Sequence, residues 1–208
     1  MKNELQKRIL SSIILLPISA FFIYQGSIYF IFFLTLLFVA TSYEWIKMCK
    51  TKYIINFFGI IFLFFSFYSA FYIRENIGLL FFLFIILICI FTDIGGYVFG
   101  KVFKGPKLTK ISPNKTISGS IGSVICCCTT ICFLFYYFTN KFSLNLILIG
   151  ILISISCQLG DIFFSILKRK SKVKDTGKFL PGHGGVLDRL DGIFIALPVG
   201  FVSLILFY

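Results

Sequence analysis

All five aspartates in this sequence fall between Asp93 and Asp191, whereas Glu4, Glu44 and Glu75 lie near the ends of apolar runs. Asp161 interrupts an otherwise apolar stretch, where an ionisable side chain is costly and normally faces a partner or a water-filled cavity. Asp161, Ser165 and Lys168 follow at spacings of four and three, which on a helix puts them on one face, with Arg169 adjacent. Asp188 and Asp191 are three apart at the opening of the last apolar run, so they project together. Three carboxylates converging at one membrane surface repel unless a cation neutralises them. Oxygen-only donors suit Mg²⁺, which takes one or two carboxylates and completes its shell with water and phosphate oxygens.

Between these carboxylates lie Lys168, Arg169, Lys170, Lys172, Lys174 and Lys178, followed by Pro181-Gly182-His183-Gly184-Gly185. A basic loop alone reads as a topology anchor beside anionic lipid. Next to carboxylates and glycines it reads as a polyphosphate cradle, because glycine lets backbone N–H groups approach an anion closely. His183 is the only histidine and invites assignment as a general base. A phosphate nucleophile is already largely ionised at neutral pH, so His183 is expected to donate a hydrogen bond to phosphate or to shape the loop. A second basic segment, Lys101 to Thr116, holds Lys104, Lys107, Lys110 and Lys115 and leads into a helix start with Gly119 and Gly122. Upstream, Asp93, Gly96, Tyr97 and Gly100 share helical spacing. Asp93 is a candidate for the same cavity, and the glycines serve equally well as helix-packing residues.

The elements that must hold these groups follow from composition. The chain has 208 residues, 58% of them hydrophobic and only 13% charged, against about 25% charged in an average soluble domain. Apolar runs near the length of a bilayer span recur throughout. We place spans at about 8–24, 28–45, 54–73, 78–100, 117–138, 144–168 and 187–207, giving an all-α transmembrane bundle of about seven helices. Residues 1–90 form the N-terminal transmembrane helices and 91–208 the catalytic transmembrane region. The first 25 residues resemble a signal peptide without a cleavage site and are expected to form a retained span. With the N-terminus cytoplasmic, every basic residue except Arg74 and Lys141 falls inside. The net charge of +12 therefore reads as topology signal and phosphate ligand rather than as a nucleic-acid surface. Cys126, Cys127, Cys128, Cys132 and Cys157 lie in apolar segments without zinc-site spacing and are expected to be buried thiols.

The run Ser165, Lys168-Arg169, Lys174-Asp175, Gly177, Leu180-Pro181, His183-Gly184-Gly185 and Asp188-Arg189-Leu190-Asp191 resembles the signature of the phosphatidate cytidylyltransferase (CDP-diacylglycerol synthase) family. Ser112-Pro113-Asn114-Lys115-Thr116 and Gly160-Asp161 also look like family elements, so the resemblance covers roughly residues 91–192. It implies a homodimeric membrane enzyme that makes CDP-diacylglycerol and pyrophosphate from CTP and phosphatidic acid. The cofactor implied is Mg²⁺, with a monovalent cation such as K⁺. The implied location is a bacterial-type inner membrane, with the active site facing the cytoplasm. Carried onto matching positions, Asp161 and Asp188 are the metal ligands, with Asp191, Lys168 and Arg169 completing the catalytic set. Lys115, Thr116, Ser165, Lys174, Asp175, His183, Gly184, Gly185 and Arg189 are the implied substrate contacts. The chain departs from the family pattern at Ser118, where an acidic residue is usual, and at Phe164, where a glutamate is usual.

The expected reaction is in-line attack of the lipid phosphate on the α-phosphorus of CTP. Three rivals remain: a lipid kinase using CTP, a cytidylyltransferase for another lipid phosphate, and a transporter or channel whose Asp161 binds an ion. A CDP-alcohol phosphotransferase fits less well, because Asp191-Gly192 lacks the further paired aspartates of such a site.

Overall fold

A backbone in hydrocarbon has no water to bond, so long apolar runs close their hydrogen bonds internally as helices. The computed structural model describes residues 2–50, 53–109, 112, 115–139, 144–177, 179, 180, 182 and 184–207. Its helices are α1 (Lys2–Gln25), α2 (Ser27–Cys49), α3 (Tyr53–Tyr72), α4 (Leu79–Phe103), α5 (Ile117–Thr139), α6 (Leu144–Lys170) and α7 (Leu187–Phe207), with one π-helical turn, Ile73–Ile77, continuing α3. Each expected span is thus a helix. Among the described residues five stretches are long and apolar enough to cross a bilayer: α2, α3 with its π turn, α4, α6 and α7. The apolar parts of the other two, Ile9–Gln25 and Ile117–Phe133, are shorter. The chain is a multi-pass integral membrane protein. At 27 residues, α6 is about 40 Å long against about 30 Å of hydrocarbon, so its basic end can clear the apolar layer.

Two compact units interleave along the chain, Met1–Leu79 with Leu167–Asp191, and Leu80–Ile166 with Gly192–Tyr208. In the first unit, α1, α2 and α3 pack through aromatic rings, with Phe22 stacked on Phe33 and Phe38 edge-on to Phe67. Gly59 on α3 has no room for a side chain because the Trp45 indole lies 2.0 Å from where its Cβ would be.

The turn between α1 and α2 depends on Gly26, whose φ of +66° lies in the region side chains disfavour. The Arg74 guanidinium fills the space a Cβ would occupy there. Arg74 donates from Nε to the Ile23 carbonyl (3.0 Å) and from Nη2 to the Tyr24 carbonyl (2.8 Å), supplying unpaired acceptors at the end of α1. It also pairs with Glu75 at 3.0 Å, and Glu75 Oε1 accepts the Ser27 N–H at the start of α2 at 2.7 Å. Cation at a helix C-terminus and carboxylate at a helix N-terminus both match the helix dipoles.

In the second unit α4 and α5 meet along glycines: a Cβ on Gly119 would lie 2.7 Å from the Gly96 carbonyl, and one on Gly95 would lie 2.9 Å from the Gly122 carbonyl. Buried hydroxyls fasten this seam, with Thr92 donating to Ser154 on α6 (2.9 Å) and Ser123 donating to the Thr92 carbonyl (2.7 Å). Ile85, Ile149 and Ile153 are fully buried around it. Phe164 is also fully buried and packs on Phe194 of α7. The seven cysteines are thiols outside any disulfide; Cys49, Cys89, Cys127 and Cys157 are buried, and Cys126, Cys128 and Cys132 are half-buried.

Arg74→Leu removes the acceptors' partner at the end of α1 and leaves Glu75 without its cation. We expect a loss of about 2 kcal/mol, the scale of hydrogen bonds to a charged group, read as a lowered melting temperature of the detergent-solubilised chain.

Candidate active site

The end of α6 places the first charged group. Lys172 takes φ +57°, its N–H bonds the Arg169 carbonyl and the Val173 N–H bonds the Lys168 carbonyl, both at 3.0 Å. This pair of bonds is a Schellman ending. It fixes Lys168 in the last turn of α6, three-quarters removed from solvent or more, and the ammonium bridges two carboxylates, Asp188 Oδ1 at 3.0 Å and Asp191 Oδ2 at 3.4 Å. The helical spacing of three that pairs these aspartates in the sequence thus brings them onto one lysine.

Asp188 is held on its other side by backbone. Its Oδ2 accepts the Thr176 N–H (2.8 Å) and the Gly185 N–H (3.0 Å), the second bond reaching back from the first turn of α7 to the residue two before the helix. Gly184, at φ +87°, and Gly185 bring the chain close enough for this: a Cβ on Gly184 would lie 3.1 Å from Asp188 Oδ2. The Leu180 and Gly184 backbones pair across the turn.

Beneath the loop lies a group whose role the sequence reading did not anticipate. Glu44 on α2 is 1% exposed. Its Oε1 accepts the Val186 N–H (3.1 Å), and its Oε2 accepts the Leu187 N–H (2.8 Å) and the Thr176 hydroxyl (3.2 Å). Gly177 and Gly185 pack directly on this carboxyl group, where a Cβ would come within 2.4 and 2.5 Å of its oxygens. The sequence places Glu44 near the end of an apolar run, where a carboxylate can reach water, so its position there does not mark it as buried.

The second unit carries a cavity of about 170 Å³ between α4, α5 and α6, whose lining includes the polar side chains of Asp93, Lys115, Thr116, Ser120, Gln158 and Asp161. Lys115 pairs with Asp161 at 2.9 Å. The Lys101–Thr116 segment reaches the cavity because Leu108 and Lys115 bond through their backbones at 2.8 Å, and Ile117 bonds back to Pro106 at 3.0 Å. Thr116 Oγ1 accepts the Gly119 N–H at 3.1 Å, so this predicted substrate contact also caps α5. Ser118 donates to the Lys104 carbonyl and closes the same loop. Gln158 accepts a hydrogen bond from the Ser120 hydroxyl. Asp93 lines the cavity while Gly96 and Gly100 pack against α5, so both expected uses of that stretch are present.

Lys168, Asp188, Asp191, Gly184 and Gly185 thus come together in one unit, and Lys115, Thr116 and Asp161 in the other. Ser165 is half-buried on α6, while Arg169, Lys174, Asp175 and Arg189 are exposed. His183 lies outside the described residues, as do Lys178 and Pro181. Among the described residues no three metal-ligating side chains gather closely enough to hold an ion by themselves. Mg²⁺ needs only one or two carboxylates beside phosphate and water. The donors present fit that requirement: Asp188 with Asp191, and Asp161 beside Asp93, offer oxygen alone and already attract a lysine ammonium.

A helical membrane protein whose basic, glycine-rich loop is pinned to paired carboxylates has the parts for handling phosphate groups at a bilayer surface. The model of the cytidylyltransferase family matches residues 53–207, and the chain belongs to this family. Its relatives include the phosphatidate cytidylyltransferases of Staphylococcus haemolyticus (strain JCSC1435), 43% identical over 142 residues, and of Staphylococcus aureus (strain COL), 42% identical over 142 residues. Each match covers 66% of this chain and 54% of the relative. The Staphylococcus epidermidis protein of the same name is 39% identical over 140 residues, with the same coverage. The chain spans about half the length of the curated relatives it matches.

Gly185→Ala pushes a methyl group between the Thr176 hydroxyl and the Glu44 carboxyl. Overpacking of this kind costs about 1–3 kcal/mol, so the variant should melt earlier and its 170–186 loop should be cut faster by trypsin, both measured on the purified chain.

Proposed function

We propose that this chain transfers the cytidylyl group of CTP to the phosphate of phosphatidic acid, giving CDP-diacylglycerol and pyrophosphate. The observation that carries this reading is the meeting of Lys168, Asp188 and Asp191 within the unbroken motif from Ser165 to Asp191. Family membership and the names of the relatives support it.

The nucleophile is a phosphate oxygen of the lipid, which attacks the α-phosphorus of CTP as the bond to pyrophosphate breaks. That oxygen is already largely ionised, so no side chain has to remove a proton, and His183 serves as a hydrogen-bond donor or loop former. The chain's task is to align two anions and spread the charge that grows on the leaving pyrophosphate. Lys168 suits that role because Asp188 and Asp191 hold its ammonium in one place. Arg169, Lys174 and Arg189 are exposed around the same loop and are proposed phosphate contacts, with Asp175 beside them. Lys115, Thr116 and Ser165 are proposed substrate contacts on the evidence of the sequence motif.

Mg²⁺ is the proposed cofactor, with Asp161 and Asp188 as its carboxylate ligands and a monovalent cation such as K⁺ accompanying it. When bound it would neutralise phosphate oxygens that otherwise repel one another. A cytoplasmic N-terminus, a cytoplasm-facing site in a bacterial-type inner membrane and assembly as a homodimer belong to the same proposal. The orientation rests on the basic loops.

The test uses the purified chain with labelled CTP, phosphatidic acid and Mg²⁺. CDP-lipid and pyrophosphate are expected, and chelation of the metal should stop turnover until Mg²⁺ is restored. A phosphorylated lipid with release of CDP would overturn cytidylyl transfer. In Asp188→Asn the side-chain oxygen can keep accepting the Thr176 and Gly185 N–H groups while the carboxylate charge facing Lys168 is lost. The variant should fold, yet kcat should fall by at least about 100-fold, the scale of a lost electrostatic contact in an active site.

A further inference from the structure

We propose that Glu44 is a positioning residue for the transfer site, acting through the 176–187 loop on Asp188 and Lys168. This inference rests on the reaction proposed above. Glu44 lies outside the segment matched by the family model, residues 53–207, and its partners are 132 to 143 residues away in sequence.

The route from Glu44 to Asp188 is short and continuous. Thr176 is shared, since its hydroxyl donates to Glu44 and its backbone N–H donates to Asp188. Gly185 is shared as well: its Cα face lies against Glu44 while its N–H donates to Asp188. Val186 and Leu187 donate their N–H groups to Glu44 immediately before Asp188 in the chain. Two N–H groups at the start of α7 would otherwise be buried without an acceptor, because the first turn of a helix offers none. Holding them fixes where α7 begins, and the start of α7 fixes where Asp188 meets Lys168.

The geometry also says which substitution is informative. Oε1 faces one backbone donor, while Oε2 faces a backbone donor and a hydroxyl. In Glu44→Gln the amide nitrogen must take one of these places and point at an N–H group, so the clamp opens with almost no change in volume. Glu44→Asp keeps two acceptor oxygens on a shorter arm.

The test uses the full chain in phosphatidylcholine vesicles containing phosphatidic acid. Glu44→Gln should lower kcat by about 10- to 100-fold, as for outer-shell partners of catalytic groups, while the chain still folds and melts in a single, somewhat lower transition. Trypsin should cut faster at the exposed Lys170, Lys172 and Lys174, and Glu44→Asp should recover most of both losses. Should Glu44→Gln fail to fold, Thr176→Val removes one donor at constant volume. It should lower kcat by about 2- to 10-fold, the net worth of a single hydrogen bond, with faster cutting.

Wild-type turnover and trypsin sensitivity in Glu44→Gln, or in Thr176→Val where that variant is used, overturn the proposal. A fall in kcat without faster cutting overturns it too, because Glu44 would then act by another route. Failure of the reaction itself reads differently: the wild-type chain then makes no CDP-lipid at all.

Discussion

A carboxyl group inside a membrane helix is tolerable only where donors surround it, and the donors Glu44 finds are those that a neighbouring helix start has to spare. Each solves the other's problem: α7 begins with N–H groups that lack acceptors, and Glu44 has two oxygens that lack water. The arrangement demands close backbone, and Gly177 and Gly185 supply it by having no side chain where the carboxyl oxygens sit. The basic loop between α6 and α7 therefore has an internal anchor as well as two helical ends. A loop of this length carrying several like charges would otherwise gain little from order.

The same logic repeats one layer closer to the chemistry. Asp188 is fixed by two backbone N–H groups on one oxygen, which leaves the other to meet Lys168. Asp191 reaches the same ammonium from one turn further along α7. The lysine is thereby placed by carboxylates that are themselves placed by backbone, so in the proposed reaction it needs little reorganisation as a phosphate approaches. Electrostatic catalysis depends on groups already oriented before the reaction begins.

Much of this was legible from residue type and spacing. Apolar runs gave all seven helices to within a few residues at most ends, because in hydrocarbon the backbone has no alternative to the helix. The spacing of Asp188 and Asp191 put these two carboxylates on one side of a helix start, but it did not point to Lys168 as the group they share. Less legible were contacts in which one partner is a backbone N–H, since such a donor carries no residue label. Glu44 bonds to two of these and to a threonine far along the chain. Its place near the end of an apolar run gave no sign that it would be buried. The glycines before Asp188 were read as facing phosphate. In the fold Gly185 faces Glu44 and gives its N–H to Asp188, a distinction that only the third dimension supplies. Thr116 similarly combines an expected position beside the cavity with the local work of capping α5.

The placement of Glu44 bears on how such a chain divides. A split into N-terminal helices and a later catalytic region follows the charged residues, which crowd into the second half. Packing follows another line, because the loop carrying Lys168 to Asp191 groups with the first three helices. A segment rich in charge cannot build its own apolar core, and α2 lends it a buried carboxyl group that the Val186 and Leu187 N–H groups and the Thr176 hydroxyl meet. On the proposed role of Glu44, a substitution there acts on the geometry of Asp188, although Glu44 lies outside the Ser165–Asp191 motif.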